Sequence, residues 1–454
     1  MTRSMTEGSP IRLIVSFTIP LLIGNLFQQF YNMADTFIVG RTIGVHALAA
    51  VGSTGSFSFL ILGFVMGFTS GVAIVTAQRF GANDVNGVRR SFAVSAVLSL
   101  AVAVILTLIA VVTARPMLVL MRTPPEILDD AWLYIVIIFG GIGITIVFNL
   151  LSNIIRAVGD SRTPLVFLVI ACIINIILDY AFILVFGMGV EGAAIATIIA
   201  QFASGALCIP IIMKRIPVLR VTRQDWKISL YDVVEHIKIA LPMAFQMSII
   251  AIGTLILQSA LNGLGTIAVA AFTTAMKIDT FATMPLASFG VTMATYVAQN
   301  YGAGKYRRIR TGIIRCSLLS VSFSILIGII YVFAGQYPAS LFVGASPEAV
   351  SLAHTCLIIN GCCYFILALL FVFRFSLQGL GNSLVPSIAG VMELVMRVFA
   401  ALVLTGWLGF TGVCLAGPLA WIGSCLPLAI ALFFTMRKLL RTERSDTGES
   451  AAAR

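Results

Sequence analysis

Long apolar segments follow one another along almost the whole chain, and short polar turns separate them. Each segment covers about 20 residues or more, the length that a helix needs to cross a hydrocarbon layer of ~30 Å. A transmembrane β-barrel would instead show segments of about 10 residues that alternate in polarity. The pattern predicts twelve membrane-spanning helices, at about 11–39, 47–77, 90–113, 131–156, 164–186, 190–213, 234–261, 268–299, 310–334, 350–377, 385–405 and 412–436.

Composition indicates the same class of protein. Of the 454 residues, 59% are hydrophobic and 10% are charged, whereas soluble proteins have about 25% charged residues. We therefore expect an all-α polytopic membrane protein. The short polar stretch before the first span predicts no cleavable signal peptide.

The net charge of +11 follows the predicted topology. Most of the 29 lysines and arginines lie in the N-terminal arm, in the loops after the even-numbered spans and in the tail. Loops on the opposite side carry only Arg41, Arg115 and Arg122. Because basic residues accumulate on the cytoplasmic side, both termini are predicted to lie inside a cell (inner) membrane. We attribute the charge to topology and to contact with the lipid bilayer, and we expect no binding of nucleic acid.

The two halves of the chain resemble each other at a nearly constant offset. Each half contains six predicted spans, and an even number gives both halves the same orientation, as parallel repeats. The matching features are "AQRFGANDVNGVRR" (77–90) with "AQNYGAGKYRRIRT" (298–311), "RAVGDSRTP" (156–164) with "QGLGNSLVP" (378–386), and Pro20 with Pro242.

Two packed six-helix lobes with a cleft between them are the architecture of a transporter. We predict an N-terminal lobe at 1–213, a basic cytoplasmic linker at 214–233, a C-terminal lobe at 234–437 and a cytoplasmic tail at 438–454. A two-lobe fold needs no second copy of the chain, so a monomer is expected, although the sequence leaves the oligomeric state open.

Polar side chains form one face of the first span. Asn25, Gln28, Asn32 and Asp35 follow one another in steps of three or four residues, so they share a helical face. A carboxylate inside a membrane costs roughly 2.5–3.5 kcal/mol on insertion scales. Asp35 is therefore expected to face the protein interior or water, and to have partners.

Span 5 carries a second acid. Asn175 and Asp179 lie four residues apart and share a face. The repeat counterpart of Asp179 is Ala401, and the counterpart of Asp35 is uncharged as well. Because both acids are specific to the first lobe, they favour a cation or proton site there. The alternative is that each acid only caps or hydrogen-bonds a neighbouring helix.

Other ionisable residues within the spans leave functional and structural interpretations open. Glu393 and Arg397 are four residues apart, which predicts an ion pair between them. Lys277 and Asp279 are two residues apart and cannot share a face, so one of them is expected to reach the cleft. Arg374 lies near the end of a span and is expected to extend to the membrane surface.

Cysteines, histidines and methionines add no catalytic chemistry. The eight cysteines and three histidines show no metal-ligand spacing, and the cysteines are interpreted as small buried hydrophobic residues. The methionines of the second lobe favour core packing, with a soft wall for apolar ligands as the alternative. No HExxH, GxSxG or Walker A motif occurs, so we expect neither an enzyme nor a pump driven directly by ATP.

The stretches "NMADTFIVG" in span 1 and "RAVGDSRTP" after span 4 resemble the pattern of the MATE (multidrug and toxic compound extrusion) family, in particular its MepA-like members. With the twelve spans, the repeat and the basic linker, the resemblance covers nearly the whole chain. It implies the MATE fold of two parallel six-helix lobes, and cation-coupled antiport by alternating access.

The DinF-like branch of this family binds its coupling ion in the first lobe. Carried onto this chain, that site comprises Asp35, Asn175, Asp179 and Thr197. A proline earlier in span 1 is associated with bending of that helix, and Pro20 occupies its position. The other branch places acids on spans 7 and 10, where this chain offers Gln246, Gln258 and, at the mouth of span 10, Glu348. That departure favours coupling in the first lobe.

The resemblance therefore implies an antiporter that exports small organic molecules, in particular lipophilic cations, with H⁺ or Na⁺ as the coupling ion and no other cofactor or metal. The sequence does not decide between the two ions. An alternative with the same fold is a flippase of lipid-linked or other amphipathic metabolites. The residues expected to line the cavity are Gln28, Asn32, Asn149, Asn153, Met243, Gln246, Met247, Lys277 and Asp279.

Overall fold

The computed structural model describes residues 4–343 and 346–446, and within these ranges every regular element is a helix. Residues 447–454 of the predicted tail lie outside the described residues. The α-helices are α1 (Pro10–Thr42), α2 (Val45–Gly81), α3 (Val85–Leu120), α4 (Pro125–Gly140), α5 (Ile142–Ala157), α6 (Arg162–Tyr180), α7 (Val190–Arg215), α8 (Leu230–Asn262), α9 (Thr266–Gly302), α10 (Tyr306–Ala334), α11 (Gln336–Val343), α12 (Pro347–Gly379), α13 (Leu384–Phe399), α14 (Thr405–Leu408) and α15 (Phe410–Asp446).

The described helices supply eleven spans that are long and apolar enough to cross a membrane, and α4 with α5 supplies a twelfth if this bent pair is one span. The predicted all-α membrane fold is thus confirmed. The bend of 48° between α4 and α5 lies within the span predicted at 131–156. It falls at Gly140 and Gly141, and paired small residues are a common cause of sharp helix bends.

The chain divides into two compact units whose boundaries cut through two helices. The first unit comprises Ile19–Ser248, and the second comprises Met5–Thr18 together with the described residues from Ile249 onward. Helix α1 therefore passes from the second unit to the first beside Pro20, and α8 passes from the first to the second shortly after Pro242. The predicted lobes at 1–213 and 234–437 assign each of these helices to one lobe, and those boundaries stay a prediction.

Hydrogen bonds hold the beginning of α1 in the second unit and the beginning of α8 in the first unit. In the second unit, the Met5 N–H donates to Gln299 Oε1 at 2.8 Å, and the Thr18 and Thr292 hydroxyls are 2.8 Å apart. In the first unit, Ser91 Oγ lies 2.8 Å from Nε2 of the buried His236 at the start of α8. The start of each exchanged helix is therefore an integral part of the unit that it enters.

Helix α2 packs directly on the first half of α8 within the first unit. A Cβ added at Gly67 would lie 2.4 Å from the Met243 backbone oxygen, and one at Gly71 would lie 2.4 Å from the Ala240 Cα. Small residues spaced by four positions allow this approach of two backbones. Met243 is buried in the contact, which supports the packing interpretation for this methionine.

We expect Gly67→Ala to destabilise the protein by about 1–3 kcal/mol, because the new methyl group would overlap a backbone oxygen that cannot rotate away. Gly52→Ala in the same helix is the matched control, since a Cβ there has no atom within 4 Å. The control should be at least as stable as wild type, because glycine inside a helix costs about 0.5–1 kcal/mol relative to alanine. Thermal unfolding of purified protein in detergent measures both, and equal melting temperatures for the two variants would contradict this packing.

The described cysteines are all free, and five of the eight are buried, in agreement with their interpretation as small hydrophobic residues. Cys362 is exposed, and Cys363 and Cys425 are partly buried, so the interpretation was wrong for Cys362. No group of three or more metal-ligating side chains occurs in the part of the chain that the structure describes.

Candidate functional site

The two acids predicted for the coupling site meet in the first unit. Asp35 lies in α1 and is partly buried, whereas Asp179, in the last turn of α6, is fully buried. The charge of Asp35 acts on the Asp179 carboxylate. Each carboxylate also has its Oδ1 atom buried without a hydrogen-bond partner among the described residues. The two acids thus place unused carboxylate oxygens in the same region of the first unit.

Asn175 and Thr197 complete the predicted group. With one orientation of the Asn175 amide, its Nδ2 lies 3.4 Å from Thr197 Oγ1. With the amide rotated, it donates to Asp179 Oδ2 at 2.9 Å and accepts from the Thr197 N–H at 3.3 Å. The second orientation satisfies both amide atoms and is the one we adopt. The structure thus brings α1, α6 and α7 together at one polar group.

Two tyrosines of the group were missed from the sequence. The Tyr31 hydroxyl donates to Thr197 Oγ1 at 3.0 Å. The hydroxyls of Tyr31 and Tyr134 both lie within range of the charges of Asp35 and Asp179. Tyr31 precedes Asp35 by four residues and so shares its helical face, a spacing that could have identified it. Tyr134 comes from α4, and its position depends on packing between helices.

Apolar packing and an irregular helix fix the surroundings of the acids. Tyr134 packs against a cluster formed by Ile38, Val39, Ala47, Ile183, Val190 and Ala193. Directly after Asp179, α6 continues as a π-helical turn at Ala181–Val185. Such turns are rare and occur frequently at functional sites. The acids therefore lie where an apolar wall meets an irregular stretch of backbone.

The arrangement is suited to taking up a small cation or a proton. Two carboxylates that share a desolvated site cannot both remain charged without compensation. A proton neutralises one of them, whereas Na⁺ would use carboxylate, amide and hydroxyl oxygens as ligands. The group of Asp35, Asn175, Asp179 and Thr197 offers both possibilities, and we call it the acidic site.

The other polar positions predicted in the first unit have local partners. On the exposed side of α1, Gln28 Nε2 lies 3.4 Å from Asn32 Oδ1. The Asn149 amide donates to the carbonyl of Thr145 in its own helix at 2.8 Å. The Asn153 amide donates to Thr69 Oγ1 at 3.2 Å and accepts from Arg156.

Residues of α8 and α9 that were predicted to line a cavity differ in exposure. Gln246 is buried, and Met247 is partly buried with its Cβ 3.7 Å from the position of a Gly63 Cβ. Lys277 is exposed, whereas Asp279 is buried. Their opposite exposure agrees with the prediction that these two side chains do not share a face.

Asp279 belongs to a polar network inside the second unit. The Tyr364 hydroxyl donates to its carboxylate, and the Asn360 amide lies 3.4 Å from Asp279 Oδ1. The Tyr331 hydroxyl donates to the Ile278 carbonyl at 3.0 Å, and its ring packs edge-on against Tyr364 at 5.9 Å. Asp279 therefore has two direct partners, both on α12, and Tyr331 of α10 contacts the preceding residue and the ring of Tyr364.

The predicted ion pair between Glu393 and Arg397 was wrong. Glu393 pairs instead with Arg374 of α12, and both side chains are more than nine-tenths buried. Arg374 also donates to Ser424 Oγ at 3.1 Å, so the prediction that it extends to the membrane surface was wrong as well. Arg397 donates to the Ile250 carbonyl of α8 at 3.2 Å. Arg374 and Arg397 therefore both bind partners on neighbouring helices rather than on their own helix.

Charged contacts hold the end of the predicted linker and the start of α8 against α2 and α3 within the first unit. Arg79 pairs with Glu235 at 2.9 Å, and Arg90 pairs with Asp232 at 2.9 Å, beside a polar cavity of about 710 Å³. Desolvation raises the pKa of Asp225 in the linker, but the backbone and hydroxyl hydrogen bonds from Thr222 and the charge of Arg89 outweigh it, and the pKa is lowered. This carboxylate is therefore charged and holds the turn.

Comparison with known proteins identifies relatives over the whole chain. A family model described as MatE matches twice, at residues 20–181 and 242–403, so the two matches are offset by 222 residues throughout. The probable multidrug resistance protein YpnP of Bacillus subtilis is 27% identical, over 90% of this chain and 91% of that protein. The multidrug export protein MepA of Staphylococcus aureus is 23% identical over 97% of each chain.

A solved structure shows the same fold. A crystal structure of MATE in the bent conformation superposes with a TM-score of 0.88 over 98% of each chain, at 23% sequence identity. An FAD transporter of Shewanella oneidensis is 23% identical over 98% of each chain. The relatives thus share the fold, while their names cover more than one class of cargo.

Proposed function

The chain belongs to the MatE family of multidrug efflux transporters, and from that premise we propose that it is a cation-coupled antiporter that exports small organic molecules. The observation that carries the proposal is the acidic site, in which the charge of Asp35 acts on Asp179 and each acid has a buried oxygen without a partner among the described residues. Both acids are specific to the first repeat, so a packing requirement common to the two repeats does not explain them.

In the proposed cycle, Asp35 and Asp179 take up H⁺ or Na⁺ from outside. Neutralising the pair allows α1 to bend near Pro20, which lies inside the helix and beside the boundary between the two compact units. This bending changes the cavity and releases cargo to the outside, and the ion then leaves to the inside. Such coupling requires that ion and cargo have different affinities for the two states of the protein.

We further propose that the protein works as a monomer in the cell membrane with both termini in the cytoplasm. The supporting observation is the excess of basic residues in the loops after the even-numbered spans. As cargo we propose lipophilic cations, because the acids embedded in the spans match or outnumber the bases. The flippase of amphipathic metabolites stays an alternative prediction.

We expect one ion gradient alone to drive efflux. Ethidium is loaded into right-side-out membrane vesicles or cells that contain the protein, and a pH gradient or a Na⁺ gradient is imposed separately. Efflux that follows one gradient and stops when an ionophore collapses it would establish antiport and identify the ion. If inserted and folded protein gave no efflux under either gradient, the cargo proposal would be wrong and amphipathic lipids would be tested next.

A further inference from the structure

The internal repeat allows the acidic site to be compared with the same positions of the second unit. Helices α6 and α13 begin at Arg162 and Leu384, which are 222 residues apart, and each continues into a π-helical turn. The offset equals that between the two family matches. At this offset, Tyr31 corresponds to Gly253, Asn175 to Arg397, and Asp179 to Ala401.

The second unit thus has an arginine where the first has an asparagine of the acidic site, and it lacks both acids. The Arg397 side chain lies over Gly253, where an added Cβ would be 3.1 Å from the Arg397 Cδ. Gly253, the repeat counterpart of Tyr31, therefore leaves room for the Arg397 side chain. From there the Arg397 guanidinium donates to the Ile250 carbonyl of α8 at 3.2 Å.

Arg397 carries its charge without an ion pair in the described structure. Glu393, one turn earlier, attracts it but forms its ion pair with Arg374, whose own charge repels Arg397. A cation that is held inside a membrane protein by a backbone carbonyl and a distant carboxylate is expensive. An ionisable residue within a membrane span is therefore a candidate for a functional role.

We propose that Arg397 supplies a fixed positive charge in the second unit, at the repeat position that corresponds to the ion-exchanging acidic site of the first unit. The guanidinium ties α13 to α8 at Ile250. In the first unit, Tyr31 of α1 and Asn175 of α6 both hydrogen-bond to Thr197, and a positive charge comes only with the coupling ion. The second unit consequently takes no part in ion exchange, and the coupling ion enters and leaves the first unit alone. This inference rests on the proposed function of the acidic site.

The first test separates the charge of Arg397 from its size. Arg397→Lys keeps the charge, whereas Arg397→Gln removes it and leaves a neutral amide donor on a shorter side chain. We expect Arg397→Lys to retain most of the ion-driven ethidium efflux, and Arg397→Gln to lose about tenfold, the effect of a lost hydrogen bond from a charged group. Arg315→Gln, which removes an exposed arginine of α10, is the matched control and should behave as wild type.

The second test restores the cation from solution and does not depend on transport. Guanidinium should raise the melting temperature of purified Arg397→Ala more than that of wild type, whereas urea, a neutral molecule of the same shape, should not. Equal efflux from Arg397→Gln and Arg397→Lys, or equal effects of urea and guanidinium, would overturn the inference. If wild type transported no ethidium while guanidinium still stabilised Arg397→Ala, the proposed function would be wrong. The inference that Arg397 supplies a fixed positive charge in the second unit would still hold.

Discussion

We expect Asp35→Asn to abolish ion-driven efflux and to leave the protein folded in the membrane. Asparagine has nearly the shape of aspartate but can neither accept a proton at neutral pH nor balance the charge of Na⁺. The remaining acid, Asp179, would then lose the partner whose charge it feels, and ion arrival would no longer change the charge state of a pair. We expect efflux at the level of vesicles without the protein, and the same result for Asp179→Asn.

The matched control for these variants is Asp129→Asn. Asp129 is an exposed acid of α4 that pairs with Arg115 at 2.9 Å, and exposed ion pairs contribute only about 0–1 kcal/mol. Removal of this charge should leave efflux unchanged. Efflux is measured under the gradient that drives wild type and is normalised to inserted protein. Undiminished efflux by Asp35→Asn would exclude this acid from coupling.

Substitution of Arg374 by Met lowers the free energy of unfolding by about 3–5 kcal/mol, because it leaves Glu393 as an unpaired charge inside the protein. Both side chains are more than nine-tenths buried, and Ser424 accepts a hydrogen bond from the arginine of the pair. Glu393→Met should be similarly costly, since it leaves the guanidinium of Arg374 without its partner. The loss is measured by thermal or denaturant unfolding of purified protein in detergent.

The double variant Arg374→Met/Glu393→Met distinguishes an ion pair from simple packing. It removes both charges together, so it should recover most of the stability lost in either single variant, because replacement of a buried pair by apolar residues is often neutral. Removal of the exposed pair of Arg115 and Asp129 serves as the control and should cost about 1 kcal/mol or less. A double variant that is no more stable than the single ones would contradict a buried ion pair at this position.

Much of the architecture could be predicted because a membrane span is a property of local composition. The spans, the repeat and the helical class all follow from apolar length and from similar stretches at a fixed offset. The bend at Gly140 and Gly141 was not predicted, because hydropathy averages over a short break in a helix. The π-helical turns after α6 and α13 leave no hydropathy signal either.

Side-chain partners were harder to predict than helices. The spacing of Asn175 and Asp179 predicted that they share a face, and the polar face of span 1 identified Asp35. The family resemblance added Thr197, which lies within hydrogen-bond distance of Asn175. The same four-residue spacing failed for Glu393, whose partner Arg374 comes from another helix. Spacing within a helix shows which residues can meet, but the choice among possible partners depends on the packing of other helices.

The helix segments that cross between the compact units bear on how this chain arose. A half-length ancestor with a single repeat would have lent the start of its first helix to a second copy, as α1 and α8 do here. It would have been complete only as a domain-swapped homodimer. In such a dimer both copies carry identical residues, so an acid pair in one and a resident arginine in the other are impossible. Fusion of two such copies would remove that restriction, because two joined halves can diverge, as the proposed difference between Asp35 and Arg397 requires.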